Sequence, residues 1–201
     1  MQAELQSFLS KNSVIEDFLK LDQQLFHAIN TGLSNAFFDW LMPILRNKYT
    51  WVPLYIFIIA FAIKTYKLKG LYLSLFLAVT VGIADFGSSS ILKPTFNRVR
   101  PCNDIEIQKT VIERVPCGLG KSFPSTHASD HFAVAIFLTM IFYKKWKPII
   151  SIAIIWAFLI CFAQVYVGVH YPFDVIVGML FGSLIGFFMA KLFIKNITLS
   201  T

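Results

Sequence analysis

The sequence predicts an all-α integral membrane bundle of about five to six transmembrane helices, preceded by amphipathic helices. Three observations carry that prediction. Only 14% of the 201 residues are charged while 56% are apolar, whereas a soluble domain is nearer about a quarter charged. The mean hydropathy is +0.65. The apolar residues also gather into several runs near the ~20 residues that a helix needs to cross the hydrocarbon. Such a chain is too apolar for a nucleic-acid binder, so its net charge of +7 points to lipid head groups and to membrane orientation instead.

Two regions are expected: residues 1–50, amphipathic and interfacial, and residues 51–201, the membrane domain. In the first, Val14, Ile15, Phe18, Leu21, Leu25, Ala28 and Ile29 recur at helical spacing. Glu16, Asp17, Gln23, Gln24 and Asn30 fill the other face, and Thr31-Gly32 ends the helix. A second short helix is expected over roughly 35–45, with Phe37, Phe38, Trp40, Leu41 and Ile44. Both would lie at the interface or pack on the bundle. Glu4, Glu16, Asp17 and Asp22 leave no clean apolar core, so no cleavable signal peptide is expected.

The spans are then roughly 51–63, 71–92, 128–143, 149–167 and 173–193. The first is short, with Trp51 and Tyr66 suited to the two interfacial belts. Segment 35–48 is the candidate for a sixth crossing. The second span carries Asp85, Ser89 and Lys93 at four-residue steps, a polar stripe where an ionised carboxylate needs a partner. The fifth reads Gly178-x3-Gly182-x3-Gly186, a close-packing surface expected to seat another helix of the same bundle.

Short loops give the orientation. Lys64, Lys67 and Lys69, then Lys144, Lys145 and Lys147, then Lys191 and Lys195 fall on one side by alternation, which the positive-inside bias makes cytoplasmic. The loop 93–126 and the turn 168–172 share the other side. That loop is basic against the bias (Lys93, Arg98, Arg100, Lys109, Arg114, Lys121), which suits an anion-binding role. It also holds Cys102 and Cys117, readable as a disulfide staple outside the cytoplasm or as two unpaired thiols. The expected location is a bacterial inner membrane with the site facing the periplasm or outside.

Chemistry concentrates in three stretches on that outer side. In His170-Tyr171-Pro172-Phe173-Asp174, Pro172 fits the first turn of a helix. Asp174 can then take the proton of one imidazole nitrogen of His170 and leave the other nitrogen free as a nucleophile. In Ser125-Thr126-His127, Ser125 offers a hydroxyl, the amides of Thr126 and His127 suit an anion, and His127 can act as the acid. Lys93 and Arg100 add a point charge and a planar fork for phosphate oxygens. A phosphate ester needs this set: cations, amide donors, an in-line nucleophile and a proton for the leaving oxygen. The scheme calls for no metal and no cofactor. His131 and Arg98 are read as a helix-packing or gating residue and a solvated loop residue.

Lys93-x6-Arg100-Pro101, Pro124-Ser125-Thr126-His127 and His170-x3-Asp174, in that order, resemble the three motifs of the type 2 phosphatidic acid phosphatase (PAP2) superfamily. The resemblance covers about residues 70–190. It implies a PAP2-like membrane bundle of the lipid-phosphatase branch, with a phosphohistidine on His170, orientation by Asp174, protonation by His127 and phosphate held by Lys93, Arg100 and Ser125, with Thr126 alongside. One position departs: the family pattern has Ser-Arg six residues before the nucleophile, and here those residues are Ala163 and Gln164. Arg98, Arg114 or Lys121 are the loop cations expected to fill that space. An arginine at 164 is expected to preserve or raise turnover, unless another cation already occupies the pocket.

The expected activity is metal-independent hydrolysis of a lipid phosphate or diphosphate, with undecaprenyl diphosphate, phosphatidylglycerol phosphate, phosphatidic acid or a lipid A phosphate as candidates. A non-catalytic member that binds anionic lipid, or a lipid phosphotransferase, are the alternatives. The partners expected are the lipid substrate and the bilayer, with no obligate protein partner.

Overall fold

The computed structural model describes residues 2–199, with side chains from residue 16 onward. The helices follow the apolar runs. In chain order they are α1 (Gln2–Asn30), α2 (Ala36–Arg46), α3 (Val52–Tyr66), α4 (Leu68–Phe86), a short α5 (Lys93–Phe96), α6 (Thr126–Phe142), α7 (Ile149–Tyr166) and α8 (Pro172–Asn196). The segments Lys48–Tyr66, Leu68–Asn103, Ile149–Tyr166 and Pro172–Asn196 are long and apolar enough to cross a bilayer, and α6 is a shorter apolar helix of 17 residues. The protein is an integral membrane helical bundle.

Helix α6 is its centre and packs on α8, α7 and α4. The glycine row of α8 explains how closely. A Cβ at Gly178, Gly182 or Gly186 would come within 2.5, 2.0 and 2.4 Å of the carbonyl oxygens of Ser125, Ser129 and Ala133. The row is therefore an internal seam that draws α8 onto the backbone of α6. At its upper end the Ser125 amide donates to the Asp174 carbonyl at 2.8 Å, which ties the beginnings of both helices together.

The beginning of each functional helix has a local cause. Ser125 Oγ accepts from the Ala128 amide at 3.5 Å, a long N-cap bond that starts α6. Pro172 occupies the first turn of α8 and Asp174 Oδ2 accepts from the Tyr171 amide at 2.9 Å. Before it, Gly168 turns the chain at φ +92°, where a side chain would be strained and would also meet Val111 Cγ1 at 2.9 Å. Between α4 and α5, residues Gly87–Leu92 form a π-helical turn in which the Lys93 amide donates to Ser88 O. The wider turn changes the register of Lys93 relative to Asp85.

Helix α1 packs on α7 and α8 through a stripe that mixes polar and apolar residues. Asp22 and Asn30 are buried at 2% and 0% exposure beside Phe26, while Leu21 and Leu25 face outward at 52% and 46%. Asn30 Nδ2 donates to Tyr166 O at 2.8 Å and to Ile112 O at 3.0 Å, and Asn30 Oδ1 accepts from the Ile112 amide. The expectations for Val14 and Ile15 concern side chains outside those described. Helix α2, capped by Asn35 Oδ1 on the Phe38 amide, lies against α7 and exposes Phe37 and Trp40. Cys102 and Cys117 form a disulfide within the loop between α5 and α6. At the far end, Lys145 donates to Leu199 O at 2.9 Å and lies over the Tyr66 ring.

Candidate active site

One cavity of about 270 Å³ collects the chemistry. Its lining includes Lys93 from α5, Arg100 from the loop, Thr126 and His127 from the first turn of α6, and His170 from the turn before α8. These come from all three motifs. Asp174 stands behind His170, with Oδ2 3.5 Å from Nδ1. That is an ion-pair contact, longer than a good hydrogen bond. Ser125 is fully buried, serves as the cap of α6 and is not part of the lining.

The first-turn residues meet the cavity because the glycine seam fixes the start of α6. Thr126 Oγ1 is buried and has no hydrogen-bond partner among the described residues. Arg100 is aimed by two carbonyls: Nε donates to Gly120 O at 2.8 Å and Nη1 to Val169 O at 3.3 Å. The Lys93 ammonium makes no hydrogen bond or ion pair among the described residues, which leaves its donors for a ligand.

His170 is 2% exposed. Burial pushes its pKa down to about 4, against the opposing pull of Asp174, and the cations Arg100 and Lys93 push the same way as burial. At neutral pH it is therefore an uncharged imidazole, the form with a lone pair.

The support behind His170 exceeds what the motifs describe. Arg98 donates from Nη1 to Asp174 Oδ1 and from Nη2 to Asp22 Oδ2, both at 2.7 Å. Its guanidinium also lies 4.0 Å from the centroid of the Tyr171 ring. Arg98 is thus a clamp between two buried carboxylates rather than a solvated loop residue. Asp22 further accepts from the Phe173 amide at 3.0 Å, so α1 braces the start of α8.

Five further residues line the cavity without belonging to a motif: Arg46, Lys48, Asp85, Asp130 and His131, together with Gln164 at the departing position. Sequence periodicity had singled out Asp85 as part of a stripe with Lys93, and both do reach the cavity. His131, read as a helix-packing or gating residue, lines the cavity while its Nδ1 sits 2.8 Å from His127 O. The loop cations expected beside Gln164 are engaged elsewhere or lie outside. Arg98 holds Asp22 and Asp174. Arg114 bonds to Asp39, Ser34 Oγ and the carbonyls of Asn30 and Tyr166. Lys121 is absent from the lining. The cation that reaches Gln164 is Arg46 of α2, with Nε 3.3 Å from Oε1, 118 residues away in sequence. No spacing rule connects the two. Among the described residues no cluster of three His, Cys, Asp or Glu has the form of a metal site.

A helical membrane bundle that gathers three histidines, two lysines and two arginines at one pocket has the makings of a phosphoryl-transfer enzyme. Residues 69–198 match the PAP2 superfamily, and the chain belongs to that family as a membrane phosphatase. It is 34% identical over 172 residues to a lipid A 4'-phosphatase of Bacteroides thetaiotaomicron, covering 84% of this chain and 75% of that one. It is 32% identical over 183 residues to an undecaprenyl-diphosphatase of Sulfolobus acidocaldarius, covering 88% and 81%. Among solved structures, Aquifex aeolicus LpxE superposes with a TM-score of 0.69 at 27% identity, over 85% of this chain and 95% of that one. A transmembrane PAP2-type phosphatidylglycerolphosphate phosphatase from Bacillus subtilis shares the fold, with a TM-score of 0.65 at 24% identity over 92% and 96%.

Proposed function

We propose that this protein hydrolyses a lipid phosphate or diphosphate at the extracytoplasmic membrane surface through a phosphohistidine on His170. The observation that carries the reading is the meeting of His170, His127, Lys93 and Arg100 on one cavity with Asp174 behind the nucleophile. With Nδ1 turned to Asp174, Nε2 is the nitrogen that attacks phosphorus. The P–N bond forms as the P–O bond to the lipid breaks, and His127 gives its proton to the departing oxygen. Water then attacks the phosphohistidine, His127 takes a proton back, and inorganic phosphate leaves. Lys93, Arg100 and the first-turn amides of α6 offset the charge on the equatorial oxygens. Ser125 contributes by holding that first turn in place, and Thr126 offers its free hydroxyl.

An apolar groove of about 490 Å³ between α3, α4, α6 and α7 is the natural bed for a lipid tail. Trp156 in its wall contacts His131 with ring centroids 5.1 Å apart, which sets the groove beside the head-group cavity. A phosphorylated lipid A is the favoured substrate, because relatives at 34% and 30% identity, from Bacteroides thetaiotaomicron and Porphyromonas gingivalis, are lipid A 4'-phosphatases. The test is phosphate release from lipid A, undecaprenyl diphosphate, phosphatidylglycerol phosphate and phosphatidic acid in detergent with EDTA. The expected result is fastest release from lipid A, abolished by His170→Ala, with an acid-labile phosphoryl group trapped on the wild type. Turnover that requires added metal, or binding without release, overturns the reading.

A further inference from the structure

Helix α2 carries one more cation into the cavity, and no ion pair neutralises it among the described residues. Arg46 is half-buried, lines the cavity with Arg100 and His170, and donates Nε to Gln164 Oε1 at 3.3 Å. No carboxylate pairs with it among the described residues. Gln164 is fully buried, and its Nε2 amide is without a hydrogen-bond partner there. A buried amide donor left unmade costs free energy until something accepts from it. Arg46 and Arg100 also oppose each other: burial, and then the Arg100 charge, hold the Arg46 guanidinium below its ordinary pKa. An anion between the two relieves that repulsion and supplies Gln164 Nε2 with an acceptor.

We infer that Arg46, oriented by Gln164, is a phosphate-binding residue of the active site, so that the amino-terminal helix α2 completes a pocket built otherwise from the membrane domain. Gln164 acts twice, as the positioning residue for Arg46 through Oε1 and as a donor to phosphate oxygen through Nε2. This inference rests on the phosphatase reading above for turnover, but anion binding tests it separately. It also reverses one expectation. A second guanidinium at 164 would face Arg46, so Gln164→Arg alone lowers activity.

The experiment uses the full chain in detergent, with two readouts: kcat/KM on the lipid phosphate it turns over fastest, and inhibition by inorganic phosphate. Arg46→Ala is expected to lower kcat/KM about 10- to 100-fold, the usual worth of one charge-assisted bond, and to weaken phosphate inhibition in parallel. Gln164→Arg is expected to reduce both, and Arg46→Ala with Gln164→Arg to recover much of what either lost, because the charge is moved and not removed. Should Arg46→Ala fail to fold, Arg46→Gln keeps a hydrogen bond to Gln164 without the charge and decides the matter. Values within twofold of wild type for the folded Arg46 variant in both readouts, or a double variant no better than Arg46→Ala, overturn the inference. If the wild type releases no phosphate from any lipid, phosphate protection against thermal unfolding that Arg46→Gln abolishes upholds the binding site, while the hydrolysis reading falls alone.

Discussion

At the scale of single residues, His170 is governed by burial more than by its aspartate. Burial holds its pKa near 4 and Asp174 pulls it up. Its neutral form is therefore the one present from about pH 4 upward in the free protein. The acid limb of kcat/KM that reports His170 is expected near 4, well below the ordinary value of about 6.5. Asp174→Asn removes the group that raises the pKa, so the limb moves lower still, while misorientation of the imidazole cuts kcat by up to about 10⁴-fold. A limb that stays near 6.5 would show that His170 is solvated. Arg98 makes a second case. It is 20% exposed and compensates two carboxylates that are 2% and 0% exposed. Arg98→Ala leaves both charges buried and unpaired, and is expected to cost about 3–5 kcal/mol and to reduce kcat. Parallel thermal melts and assays check it. An unchanged melting temperature would mean that water already satisfies Asp22 and Asp174.

At the scale of elements, the site depends on how closely α8 approaches α6. Gly182→Ala puts a methyl 2.0 Å from Ser129 O, a backbone atom with nowhere to go. About 1–3 kcal/mol or more of stability should be lost, and activity with it, since the same seam fixes the first turn of α6. Gly82 on α4 has nothing within 4 Å of its would-be Cβ, so Gly82→Ala should be neutral or stabilising, and equal melts for the two variants would refute the seam. The repeat of small residues announced this contact because a glycine row in an apolar helix has few other uses. The apolar helices and the three motifs were legible for a related reason: a membrane helix must be apolar over its length, and phosphoryl transfer through a histidine draws on cations and imidazoles. The buried stripe of α1 was not. Amphipathic periodicity gives two faces, but here the buried stripe is Asp22, Phe26 and Asn30, while Glu16, Asp17 and Gln24 stay exposed with Leu21 and Leu25. The π turn at Gly87–Leu92 has no local sequence signature. Arg46 was invisible because its partner Gln164 is a long-range neighbour, and the capping role of Ser125 asks for the same hydroxyl that a phosphate ligand would.

At the scale of the whole molecule, the two ends of the bundle carry cations for different reasons. At one end Lys145 meets Tyr66 and the carbonyl of Leu199, and the lysine clusters of the short loops gather there. Of these, Lys145 lines the apolar groove, and the clusters fit the positive-inside bias. At the other end Lys93, Arg100 and Arg46 converge on the cavity, and the loop that follows Arg100 is stapled by Cys102–Cys117. A disulfide persists outside the reducing cytoplasm, so the staple and the lysines are two separate supports for the proposed extracytoplasmic facing of the cavity. The prediction is a topology measured by thiol labelling. Ile105, 82% exposed in the stapled loop, and Lys145 at the opposite end are each replaced by cysteine. Background is low, because Cys161 is buried and the other two cysteines are joined. A membrane-impermeant maleimide should label Ile105→Cys on intact spheroplasts and Lys145→Cys only after permeabilisation. The reverse pattern would turn the cavity to the cytoplasm and leave the basic loop without its reason. It would also make any lipid substrate one of the inner leaflet, because a head group cannot reach this cavity from the surface at which the bundle ends in lysines.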